Sequence, residues 1–262
     1  MSSQQEPTSL VRFDAAMNSA RHILAKEVMV SQVKMTAVRK ISLISEYIEK
    51  NTVEIKSPII QFLSAYENED ADKIAIDVAI IFSETYGKKV LFVDACTSKK
   101  SGVLKELRDQ SQISINDLCM GNISDKTPFL NIKRSTFFYA PLINIEGNDA
   151  DLVDMTGLKN FLITARANFD YIILASERSV TNTYPFSMGA IAQMNILVVS
   201  AIKTRRQVVA HVLKSLSDMD AVLSATILTY RTFFIPAYIY NFLFSSGKRP
   251  AFFSLFFKES KK

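Results

Sequence analysis

Past Pro58 the chain alternates between continuous apolar runs and amphipathic stretches. "IIQFLSA", "KVLFVDA", "STFFYAPL", "FDYIILAS", "NILVVSAI" and "AVLSATILTY" read as six strands. Between them, helical periodicity runs over 70–86, ending near Gly87, and over 152–168 and 203–219. Shorter helices are predicted at "GVLKELRD" and "SINDLCM". Apolar strands separated by helices predict an α/β fold, a mostly parallel doubly wound sheet covered on both faces. Ahead of it, residues 1–9 read as a loose polar terminus. From about Val11 to Lys50 the pattern is helical, with Val38, Ile41, Leu43, Ile44, Tyr47 and Ile48 mostly on one face. No Pro or Gly interrupts residues 8–57, so one long helix or two are both allowed. The expected division is an N-terminal helical extension (1–57), an α/β domain (58–244) and a basic aromatic tail (245–262).

Composition narrows the classes. The 262 residues are 48% hydrophobic, enough for a sizeable core and too apolar for a disordered chain. The net charge of +5 is mildly basic, below what would argue for a nucleic-acid partner. Cys96 and Cys119 lack CxxC spacing or a nearby His, which argues against a disulfide framework or zinc and for a reducing cytoplasm. No apolar stretch approaches the roughly 20 residues that span a bilayer, and the first residues lack a secretion signal's apolar core. His22 and His211 have no metal-ligand spacing.

One junction stands apart. A strand leading into a helix is where nucleotide-binding proteins place a glycine-rich phosphate loop. Here "PIIQFL" leads into "IAIDVAIIFSETY" through "SAYENEDADK", which carries Glu67, Glu69, Asp70 and Asp72. No glycine precedes Gly87, so this first turn is not a glycine loop of any kind.

Several phrases in order resemble one family. "GKKVLFVDA" (87–95), "ISINDLCMG" (113–121), "NFDYIILAS" (168–176), "MNILVVSAIKTRRQVV" (194–209) and "LTYRTFFIPAYIYNFL" (228–243) are similar to passages of bacterial tyrosine autokinases. The same passages recur in the CpsD/CapB-type proteins that regulate capsule and exopolysaccharide export, a group related to the MinD/ParA-type ATPases. The resemblance runs from about residue 58 to 244. It implies a P-loop NTPase-like fold, with Asp94 at the family's second aspartate motif.

The departures fall where the chemistry should be. Against the family's SAxPGEGKST turn, Glu67 stands for Pro, and Asn68 and Asp70 for the two glycines. Ala71 replaces the phosphate-binding lysine, and Asp72 and Lys73 replace the Ser/Thr pair that holds magnesium. A phosphate loop needs glycines so that backbone N–H groups converge on the anion, and a lysine to balance its charge. Four carboxylates there repel a triphosphate: at an effective dielectric of ~20, charges ~4 Å apart interact by about 4 kcal/mol. The magnesium-orienting aspartate of the second motif falls on Ala175, followed by Ser-Glu-Arg in place of Thr-Pro-Pro. Asp94 alone survives, and a lone aspartate at a strand end is often a cap for the next turn. The autokinases' tyrosine-rich tail is missing, and Tyr238 and Tyr240 read as packing residues on a helix over 236–244.

The acids also have a simple structural reading, in which Asp70 caps the helix and Asp72 sits well in its first turn. E-N-E-D-A-D lacks the central Gly and distal Glu of a calcium loop. An acidic partner-binding loop remains open. Lys203, Arg205 and Arg206 are either a solvated helix start or a contact to an acidic partner. Phe252, Phe253, Phe256 and Phe257, with the lysines after them, either pack on the sheet or form an amphipathic foot on a membrane or partner.

The resulting expectation is a pseudo-ATPase or pseudokinase homologue without cofactor or metal. It would act by binding an inner-membrane polysaccharide co-polymerase (chain-length regulator) or a kinase homologue, in exopolysaccharide, capsule or adhesin export. It would sit in the cytoplasm or at the inner membrane face, with homo-oligomerisation left open. The rivals are an active autokinase or ATPase built around Asp94, and a MinD/ParA-like positioning protein.

Overall fold

In the computed structural model the described residues are 21–23, 35–66, 70–96, 103–111, 113–121, 127–132, 135–143, 153–177 and 183–230. The chain divides into two compact units, Met1–Thr229 and Tyr230–Lys262, and the described secondary structure lies in the first. The strands are β1 (Arg21–Ile23), β2 (Ile59–Ser64), β3 (Val90–Ala95), β4 (Leu130–Ile132), β5 (Phe137–Pro141), β6 (Tyr171–Glu177), β7 (Met194–Ser200) and β8 (Leu223–Thr229). The helices are α1 (Met35–Thr52), α2 (Ala71–Ile80), α3 (Val103–Gln110), α4 (Ile115–Cys119), α5 (Met155–Ala165), α6 (Tyr184–Ile191) and α7 (Arg206–Asp218). A π-helical turn, Ile81–Thr85, extends α2 towards Gly87, whose φ of 65° suits glycine.

The sheet runs in the order β1-β4-β5-β3-β6-β2-β7-β8. Its pairings are parallel except for β4 against β5. Side chains alternate between faces, so each central strand feeds two cores. On one face Ile60, Phe62, Phe92, Ile173, Ala175 and Val198 pack with Ile41 and Ile48 of α1, Ile76 of α2 and Leu104 and Leu107 of α3. On the other, Ile59, Leu91, Val93, Ile172 and Leu174 meet α4, α5 and α6, while Leu63, Leu197 and Val199 meet Val212 and Leu216 of α7. Burial on both faces is why these strands read as unbroken apolar runs.

Three elements depart from the sequence expectation. Arg21–Ile23, inside the stretch predicted to be helical, pairs parallel with Leu130–Ile132 instead, so the sheet edge overrides the local period. β4 itself is too short to show a period of two. α6 contains Pro185 and Gly189 and is buried around most of its circumference, so it carries no amphipathic signature. The helix predicted at 236–244 and the tail phenylalanines Phe252, Phe253, Phe256 and Phe257 lie outside the described residues.

Candidate functional site

In open parallel sheets, ligands bind at the carboxyl ends of the strands. Here that edge is built by adjacent β3, β6 and β2, with β7 beyond. Parallel register aligns Phe62, Ala175 and Asp94 across the three strands, so their side chains share one face. After β2, the junction residues Glu67, Asn68 and Glu69 lie outside the described residues. The chain is described again at Asp70, which precedes α2 in the left-handed conformation, φ 61° and ψ 16°. The backbone thus keeps a conformation that favours glycine where the resemblance places one, and aspartate is among the few residues that tolerate it. Asp70 occupies the N-cap position, yet its side chain makes no capping hydrogen bond, contrary to the sequence expectation. Its carboxylate pairs instead with the Lys73 ammonium one turn along, because the left-handed backbone turns it away from the helix N–H groups. Asp72 Oδ1 accepts the Lys73 N–H at 2.9 Å.

The positions assigned to the phosphate lysine and the magnesium aspartate, Ala71 and Ala175, are both fully buried. They belong to one apolar cluster, with Phe62, Ala75 and Ile173. Beside them Ser176 accepts a hydrogen bond from Gln61 Nε2 at 2.7 Å, which ties β6 to β2.

Asp94, at the end of β3, is fully buried and meets donors on both oxygens. Oδ1 accepts the Cys96 N–H at 3.2 Å, the turn-capping role expected of it. Oδ2 accepts the Tyr139 hydroxyl at 3.1 Å and the Arg108 guanidinium in a short ion pair. Arg108 Nη2 also donates to the Cys96 carbonyl at 2.8 Å. Its Nε and Nη1 are buried with no hydrogen-bond acceptor among the described residues. Burial alone would lower the Arg108 pKa, but Asp94 and Tyr139 more than offset it and the net shift is upward. Burial, then the Asp94 charge, holds the Tyr139 phenol well above its ordinary pKa, so it stays protonated as a donor. The Tyr184 hydroxyl of α6 donates to the Ala95 carbonyl at 2.8 Å, which covers the same strand end from the opposite face. Cys96 is buried.

Sequence reasoning singled out Asp94 and missed two side-chain partners, Tyr139 and Arg108. Tyr139 reaches it because β5 pairs with β3. Arg108 reaches it because Leu104 and Leu107 dock α3 on the sheet, and a residue following Leu104 by four shares that face. Lys203, Arg205 and Arg206 are exposed at the carboxyl end of β7, the strand next to β2. They are not brought into the Asp94 cluster. Among the described residues no three His, Cys, Asp or Glu side chains are grouped to hold a metal, and no helix is long and apolar enough to cross a membrane.

The magnesium-nucleotide that the resemblance implies does not fit the side chains present. Ala71 offers no amine, Ala175 offers no carboxylate, and Asp94 already carries a guanidinium.

Strand order and buried parallel strands define a doubly wound α/β fold, and the fold shared with solved structures is P-loop NTPase-like. Solved structures agree. The chain superposes on the chimerical protein CapA2B2 with a TM-score of 0.65 at 14% identity, over 81% of this chain and 94% of that one. For the kinase domain of the Escherichia coli tyrosine kinase ETK the TM-score is 0.65 at 11% identity, over 89% and 99% of the two chains. A plasmid partition protein from Borrelia burgdorferi gives 0.54 at 17% identity, over 73% and 88%. No protein-family model matches the chain, and no curated protein matches it.

Proposed function

We propose that this chain is a non-catalytic relative of the bacterial tyrosine kinase domains, acting in exopolysaccharide, capsule or adhesin export by binding rather than by an ATP cycle. One observation carries the reading. The positions that would supply the phosphate lysine and a magnesium carboxylate are alanines sealed in one apolar cluster, and the surviving aspartate is neutralised from within the chain. A fold shared with tyrosine kinase domains supports the kinase-like ancestry, and the polysaccharide setting rests on the sequence resemblance. The partner in this proposal is an inner-membrane co-polymerase or an active kinase homologue. The N-terminal extension (1–57), the exposed Lys203, Arg205 and Arg206, and the aromatic tail (245–262) are the docking surfaces offered to it, on the α/β body (58–244).

Isothermal calorimetry of the full chain with Mg-ATP tests the catalytic half of the proposal. No heat of binding is expected, whereas micromolar binding abolished by Asp94→Ala would establish a working nucleotide site. Co-purification with the cytoplasmic segments of a co-polymerase tests the other half. Retention that weakens when Lys203, Arg205 and Arg206 are replaced together by glutamate is expected, and no retention of the unmodified chain refutes that partner.

A further inference from the structure

We propose that Arg108 is the resident counter-cation of Asp94, taking at this carboxylate the electrostatic place that a divalent ion would take in an active nucleotide site. The proposal rests on the non-catalytic reading above and adds what holds the site closed. A fully buried carboxylate in register with Ala175 and on the sheet face of Phe92 needs a compensating charge. Among the described residues the cation paired with it is Arg108. The guanidinium does more than neutralise. By donating also to the Cys96 carbonyl, it ties the end of β3 to α3. With the Tyr139 hydroxyl on Oδ2 and the Cys96 N–H on Oδ1, the carboxylate meets donors on both oxygens from separate segments of one chain. The carboxylate is thus answered by a cation of its own chain, carried on α3.

The test uses the full-length protein as wild type, R108K, R108M, D94N and D94N/R108M, melted in EDTA and then with millimolar MnCl2. R108M should melt about 5 °C or more below wild type, and R108K should recover part of that loss. D94N/R108M, which loses the acid together with its paired cation, should melt above R108M. Mn²⁺ should raise the melting temperature of R108M and leave wild type and D94N/R108M unmoved, a response that a merely packing role for Arg108 would not produce. If R108M is insoluble while D94N/R108M folds, the loss of the Arg108 charge beside Asp94 is the cause and the proposal stands. R108M melting with wild type, a double variant no more stable than R108M, or wild type that itself gains from Mn²⁺ would each overturn it. A folded R108M that gains nothing from Mn²⁺ overturns the ion-replacement claim. Mg-ATP calorimetry on wild type separates the two ideas: nucleotide binding there sinks the non-catalytic reading, whatever the variants do.

Discussion

Restoring the missing aspartate, Ala175→Asp, should damage the fold rather than revive a nucleotide site. Ala175 is fully buried and lies in register with Asp94 on the neighbouring strand, so the new carboxylate would face Asp94 on the same side of the sheet. Adjacent strands are ~4.8 Å apart. At that spacing and an effective dielectric of ~20, two negative charges repel by about 3 kcal/mol. Arg108 offsets part of this. Desolvating an unpaired carboxylate among Phe62, Ala71 and Ile173 adds several kcal/mol, and overpacking adds about 1–3 kcal/mol. The sum of about 5 kcal/mol rivals the total stability of an ordinary domain, about 5–15 kcal/mol.

The assay is urea unfolding followed by circular dichroism, run across pH. Burial raises the pKa of the introduced acid above its unfolded value. The charge penalty is thus fully present above the folded pKa and fades as pH falls through it, so the gap to wild type should narrow towards about pH 5. Ala175→Asn, which keeps the size without the charge, should cost less and show no such narrowing. The reasoning is refuted if Ala175→Asp stays within about 1 kcal/mol of wild type near about pH 8. A gain of Mg-ATP binding in that variant would refute it as well.

Two further substitutions test the packing and electrostatics elsewhere. Burial pushes the Asp77 carboxyl up to about 6, so its charge destabilises the fold above that pH, and the penalty is relieved as pH falls from about 6 towards about 4. Because Asp77 keeps some solvent access, screening reduces the full conversion to about 1–2 kcal/mol. Asp77→Asn should therefore stabilise near about pH 8 and do nothing near about pH 4, and the opposite ordering of the two denaturation midpoints would refute the assignment. At Gly189 in α6 an added Cβ would meet Ala221 Cβ at 3.0 Å, Gln61 Oε1 at 3.1 Å and Leu216 Cδ2 at 3.2 Å. Gly189→Ala should lower stability by about 1–2 kcal/mol, overpacking outweighing the helix propensity gained; a rise in melting temperature would show that the site has room.

Much of the framework can be read along the chain. The strands Ile59–Ser64, Val90–Ala95, Tyr171–Glu177 and Met194–Ser200 announce themselves because burial on both faces demands apolar residues at every turn of the pleat. The departures from the resembled motifs at Ala71 and Ala175 are equally legible, since a phosphate loop and a magnesium aspartate require particular residues at particular spacings. Their consequences are decided by the folded chain. Asp94 looks isolated in sequence, and its partners Arg108 and Tyr139 lie 14 and 45 residues away. They converge because β5 pairs with β3 and because two leucines dock α3 on the same face. Strand order and helix docking are long-range choices that local periodicity does not encode. The short β1 and β4 and the buried α6 escaped notice for the same reason, since pairing and enclosure, rather than pattern, hold them in place. The sequence by itself determined the layered α/β scaffold and put alanines at the two positions where the resemblance places a lysine and an aspartate. Tertiary structure alone decided that Ala71 and Ala175 close into one apolar cluster, and that the buried Asp94 is answered by an arginine of its own chain.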